Sequence, residues 1–98
     1  MPRRVHVYMM TNRPRGTLYI GVTGDLQRRV REHRTHAHRG FTDRYNLGRL
    51  VWFEHHESPT QAIQREKSLK RWRRQWKLEL GESLNPDWRD LWEEVCGT

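Results

Sequence analysis

A single cysteine, Cys96, in 98 residues leaves the chain without an intramolecular disulfide and without a cysteine cluster for zinc or iron. Long apolar runs are missing as well: nothing approaches the roughly 20 residues that a membrane-spanning helix needs. The first ten residues carry Arg3 and Arg4, but His6 and Tyr8 interrupt what would have to be a continuous apolar signal core. These absences point to a cytoplasmic protein with no membrane partner. Acidic residues are in the minority, with twelve Asp and Glu against nineteen Lys and Arg, giving a net charge of +7. That excess favours a polyanionic partner, nucleic acid before an anionic membrane surface, while a basic surface kept only for solubility is the bland alternative. Hydrophobic residues are scarce at 34%, yet five of the 98 residues are Trp, so a few bulky anchors can hold a thin core.

The length suits one domain over residues 1–98, with 82–98 as a docked helical tail. Residues 5–10 read as a strand, with Val5, Val7 and Met9 on one face and His6, Tyr8 and Met10 on the other. Turn residues at 12–16 lead into a second strand at 17–21, which makes a hairpin. A helix capped by Thr23 or Asp25 should run to about Ala37 on Leu26, Val30 and Ala37. After a polar connection over 38–48, residues 50–53 form a third strand. Ser58-Pro59-Thr60-Gln61 opens a second helix, with Ala62, Ile63 and Leu69 on its apolar side, that continues toward Trp72 and Trp76 and bends or breaks before Gly81. Asn85-Pro86 then reads as the N-cap and first position of a last helix bearing Trp88, Leu91, Trp92 and Val95.

Several polar residues depart from this packing pattern. Arg29 and His33 project from one face of the first helix, near its core-facing edge. They read either as a snorkelling rim arginine and a satisfied histidine or as functional groups. Glu66 falls within the stripe that should face the sheet and needs a partner there, Arg29 or a hard divalent cation. Tyr8 and Tyr19 lie on paired strands and meet only if the register allows. Gly21 and Gly24 bracket the strand-to-helix turn, where a phosphate could approach the backbone. Lys67, Lys70, Arg71, Arg73, Arg74 and Lys77 crowd little more than two turns, interleaved with Trp72 and Trp76 and with no acid between Glu66 and Glu79. Phosphate contact is the preferred reading of that run. The histidines at 33, 36, 38, 55 and 56 lack the spacing and cysteines of a zinc site.

Taken in order, Val7-Tyr8, Tyr19-Ile20-Gly21, Arg29, His33, Glu66 and Asn85 resemble the motif set of the GIY-YIG nucleases, closest to their small stand-alone bacterial members. Ten residues separate the two tyrosines, Arg29 follows Tyr19 by ten positions and His33 follows Arg29 by four. His6 and Val7 stand where the family has Gly and Ile. The resemblance implies an α/β (α+β) fold with a three-stranded, mainly antiparallel sheet flanked by helices, in the order β-β-α-β-α plus a C-terminal helix. It also implies a divalent-metal-dependent DNA endonuclease. In that scheme Glu66 holds Mg²⁺ or Mn²⁺, Arg29 stabilises phosphoryl charge, Tyr8 orients or deprotonates the attacking water, and Tyr19 and His33 position it or relay its proton. Gly21 and Asn85 support the site. DNA is the expected partner, with RNA second and no obligate protein partner. Two readings from other classes are a nucleic-acid-binding module that keeps this frame without cutting, and a partner-binding domain with a basic surface.

Overall fold

The computed structural model describes residues 5–35 and 47–96. Three antiparallel strands form the sheet: β1 (Val5–Thr11), β2 (Leu18–Thr23) and β3 (Arg49–His56), in the order β2-β1-β3. The first strand is therefore the central one. Both of its faces are buried, which its sequence already suggests, since apolar or aromatic residues fall on the odd and even positions alike. Helices lie on both faces, so the class is α+β.

One face of the sheet presents Val5, Val7, Met9 and Ile20 to Ala62 and Leu69 of α2 (Pro59–Arg71) and to Leu78 of α3 (Arg74–Leu84). On the other, Tyr8, Met10 and Leu50 meet Leu26 and Val30 of α1 (Leu26–Arg34), together with Leu91 from the segment that leads into α4 (Trp92–Cys96). Ile63, expected on the apolar side of the second helix, is 43% exposed instead. Only Ala62 and Leu69 of that helix are fully buried, so its buried stripe is narrower than the spacing predicted.

The strands are longer than the sequence predicts, most of all β3. An irregularity hides its alternation: Met9 pairs with Trp52 and Met10 with Leu50, so Val51 is an extra residue in the β1–β3 register. Leu50 and Val51 are thereby buried in different layers, while Val51 and Trp52 share one.

Helix α1 begins where Asp25 accepts a hydrogen bond from the Arg28 amide at 3.1 Å and stops at Thr35, short of the expected end near Ala37. Ala37, His36, His38 and most of the predicted 38–48 connection lie outside the described residues. Ser58 caps α2 by accepting from the Gln61 amide at 3.3 Å, with Pro59 in its first turn. The expected break before Gly81 falls at Trp72 and Arg73, whose backbones are extended.

The C-terminal reading needs correction. Asn85 is not an N-cap: it closes α3, with its amide donating to the Gly81 carbonyl at 2.9 Å, and the last helix starts only at Trp92. Trp88, predicted as helical, has φ of 56°, a left-handed backbone incompatible with a continuing helix. Its buried ring packs on Gly81, and its indole N–H donates to Glu82 Oε2 at 2.8 Å, contacts that hold the unusual backbone in place. Apolar spacing at 88, 91, 92 and 95 thus records burial of an irregular segment rather than one helix. Among the described residues no helix is long and apolar enough to cross a membrane.

Candidate active site

Register decides whether the two tyrosines meet. Tyr8 stands opposite Gly21 and Met10 opposite Tyr19, so Tyr8 and Tyr19 are diagonal neighbours on the face covered by α1. Their ring centroids are 6.2 Å apart. His33, near the end of α1, completes a triangle, with its ring 5.7 Å from that of Tyr8 and 5.5 Å from that of Tyr19. The Tyr8 hydroxyl lies 2.9 Å from His33 Nε2. With the imidazole proton on Nδ1, the phenol donates and Nε2 accepts.

Gly21 makes this arrangement possible. A Cβ built on it would stand 2.5 Å from Tyr8 Oη and 2.6 Å from Cζ, closer than real contacts allow, so the Tyr8 ring occupies the side-chain space of its cross-strand partner. Steric room for the ring is a firmer account of this glycine than backbone access for phosphate.

Tyr8 is 1% exposed. Burial pushes its phenol above the ordinary range, and Tyr19 adds to the shift. Arg29 pulls the other way without reversing it. The cost of a buried phenolate thus outweighs the benefit of one half-exposed guanidinium. The protonated phenol is therefore the favoured form.

Arg29 pairs with Glu32 at 3.6 Å on the same helix, and Glu66 pairs with Lys70 at 3.2 Å, so the Arg29–Glu66 ion pair is not formed. Glu66 comes from α2, on the other side of the sheet from α1. Its link to the tyrosines runs through Lys70, whose Nζ lies 5.9 Å from the centroid of the Tyr19 ring. Because β2 is an edge strand, the Lys70 side chain can pass its open border to reach that ring. The Glu66 side chain is only 16% exposed. Among the described residues no group of three or more His, Cys, Asp or Glu is placed to hold a metal. A cation at Glu66 would thus complete its shell with water and substrate oxygens, which suits Mg²⁺ or Mn²⁺ and their oxygen preference.

The basic run divides by what its members touch. Lys67 and Arg71 are exposed, and the Arg73 guanidinium stacks 5.3 Å from the Trp76 ring, itself 48% exposed. Arg74 is engaged elsewhere: its Nη2 donates to the Arg15 carbonyl at 2.5 Å and to the Gly16 carbonyl at 2.8 Å, tying α3 to the β1–β2 turn. Lys77 donates to the Lys70 carbonyl at 3.3 Å, across the break between α2 and α3. Asn85 is buried and fully used as a clasp. Its Nδ2 donates to the carbonyls of Val51 at 3.2 Å and Arg89 at 2.7 Å, and its Oδ1 accepts from the Arg89 amide at 3.2 Å.

Sequence reasoning missed Glu32 and Glu54. Glu32 could have been found from its i,i+3 and i,i+4 spacing to Arg29 and Arg28. Glu54 binds Arg65 at 3.1 Å and His56 at 2.6 Å and fastens α2 to β3, a pairing across eleven residues that no local spacing reveals.

Comparison with known proteins gives the family. Residues 4–79 match the family model described as the GIY-YIG catalytic domain. A UPF0213 protein of Haloquadratum walsbyi is 39% identical over 70 residues, covering 67% of this chain and 74% of its own length. No solved structure matches the chain.

Proposed function

The chain belongs to the GIY-YIG family, whose domains are typically nucleases, and from that premise we propose that it is a divalent-metal-dependent endonuclease that hydrolyses DNA phosphodiester bonds. The observation that carries the reading is the 2.9 Å contact between the Tyr8 hydroxyl and His33 Nε2, in a site closed on its other side by Tyr19. A buried phenol hydrogen-bonded to an imidazole is a proton relay. As a water oxygen bonds to phosphorus, one of its protons passes to Tyr8 Oη while the Tyr8 proton moves to His33 Nε2. Tyr8 thus need not ionise, which its burial opposes. The P–O3′ bond breaks, and the departing oxygen takes a proton from solvent.

Arg29 stands on the same helix as His33 and supplies positive charge to the phosphoryl oxygens as charge develops there. Glu66 would hold Mg²⁺ or Mn²⁺, which when bound would supply Lewis-acid stabilisation of the charge that develops as the phosphodiester is cut. Lys67, Lys70, Arg71 and Arg73 bind the backbone phosphates of the substrate, while Arg74 and Lys77 serve mainly to fasten α3 to the turn and to α2. Gly21 admits the Tyr8 ring, and Asn85 supports the site from behind by fixing β3. The reading keeps the cytoplasm as the place of work and residues 1–98 as one domain.

The test is cleavage of labelled single-stranded, duplex and branched DNA with Mg²⁺ or Mn²⁺, comparing wild type with Glu66→Ala. Cutting that requires both the metal and Glu66 is the expected result, with DNA binding largely kept in the variant. Binding without cutting on every substrate and with either metal would replace the enzyme by a nucleic-acid-binding module on the same fold.

A further inference from the structure

Lys70 touches both halves of the site. Its ammonium is 3.2 Å from Glu66 Oε1 and 5.9 Å from the centre of the Tyr19 ring, and its side chain is 51% exposed whereas that of Glu66 is 16% exposed. A carboxylate so poorly hydrated needs a cation on its open side. Lysine meets that need with a point charge on a flexible four-carbon stem, where arginine would grip with a two-pronged fork and let go less readily. Because the lysine end of the pair is half exposed and holds the carboxylate by a single point charge, a divalent ion can displace it. The ammonium it sets free is already beside Tyr19.

We propose that Lys70 is a counter-ion held in reserve: it neutralises Glu66 while no divalent cation is bound, is displaced when the cation takes the carboxylate, and then binds the substrate phosphate next to Tyr19. Arrival of the cation and tight binding of substrate are thereby coupled through one side chain. The proposal rests on the reading of Glu66 as the cation's ligand, and a separate variant tests that reading.

Mn²⁺ binding to the substrate-free protein is followed through the electron paramagnetic resonance signal of the free ion. Lys70→Met should bind Mn²⁺ roughly two- to fivefold more tightly than wild type, the range expected for losing one competing pair whose lysine is half exposed. Lys70→Arg should bind it more weakly than wild type. Equal or weaker binding by Lys70→Met, with Glu66→Gln abolishing binding, overturns the reserve role alone. Unchanged binding in Glu66→Gln removes the premise that Glu66 is the ligand. The second half of the proposal is read from the salt dependence of oligonucleotide binding with Ca²⁺ or with EDTA. Wild type and Lys70→Met should share one slope in EDTA and differ in Ca²⁺ by about 0.7–0.9, the contribution of one phosphate contact. Identical slopes in Ca²⁺ would show that the freed ammonium does not reach the phosphate.

Discussion

Tyr8 and Gly21 face each other across β1 and β2, and the tyrosine ring fills the space where a side chain on Gly21 would stand. The catalytic reading of Tyr8 and the identity of its partner are therefore one packing requirement. Gly21→Ala should force the ring away from His33, costing roughly 1–3 kcal/mol of stability by overpacking. Cleavage should fall by about 100-fold, the penalty for a misplacement near 1 Å. Gly24→Ala is the control, since a Cβ there meets nothing within 4 Å. Thermal unfolding and single-turnover rates on the two variants check the contrast; equal behaviour would refute it.

Burial of the Tyr8 phenol has a consequence in alkali. An unfolded tyrosine loses its proton at a pH around 10. Folded Tyr8 keeps its own to higher pH, so above that point the unfolded chain has released a proton the native chain still holds. Its contribution to stability is thus full below pH of about 10 and lost as the pH climbs past it. A spectrophotometric titration should leave at least one of the three tyrosines un-ionised until the fold opens, and Tyr8→Phe should abolish that late step.

Arg73 and Arg74 are neighbours with different work. Arg73→Ala should weaken DNA binding and lower the slope of log affinity against log salt by up to about 0.9 while leaving the melting temperature nearly unchanged. Arg74→Ala should instead cost about 1 kcal/mol of stability, because the Arg15 and Gly16 carbonyls lose a charged donor. Chemical denaturation and salt-dependent binding on both variants separate the two effects, and a matching loss of binding in both would contradict the division.

Asn85→Ala should destabilise the protein by about 2–3 kcal/mol, since it strands buried backbone groups of Val51 and Arg89. Its remaining folded fraction should cut DNA at close to the wild-type rate. A large fall in rate without a fall in stability would give the asparagine a chemical role.

Much of the fold was legible because it is written in local pattern. The hairpin, the Asp25 and Ser58 caps and the helical spacing of Leu26 and Val30 each depend on residues a few positions apart. What escaped depends on distant partners. The extra residue Val51 disguised the length of β3, and the carbonyl that it presents is satisfied by Asn85, thirty-four positions away, which is why a plausible helix cap turned out to be a clasp. The site divides in the same way. Strand pairing put Tyr8 and Tyr19 on adjoining elements, and helical spacing put Arg29 beside His33. The pairing of Glu66 with Lys70 was also readable at i,i+4, but not the reach of Lys70 to Tyr19, which needs the edge position of β2. The raised phenol escaped because desolvation is a property of the assembled core.

The central strand has no side that faces water, since Val5 and every residue from Val7 to Thr11 are buried. A change at any of these positions is felt at once by the layer above or below, and a shift of the backbone is felt by both. Substitutions are better tolerated on the helix surfaces, where the basic side chains of Lys67, Arg71 and Arg73 are exposed. Tyr8, proposed to relay the proton, thus sits where the described structure has the least room for substitution, whereas the cations proposed to meet the substrate sit where there is most.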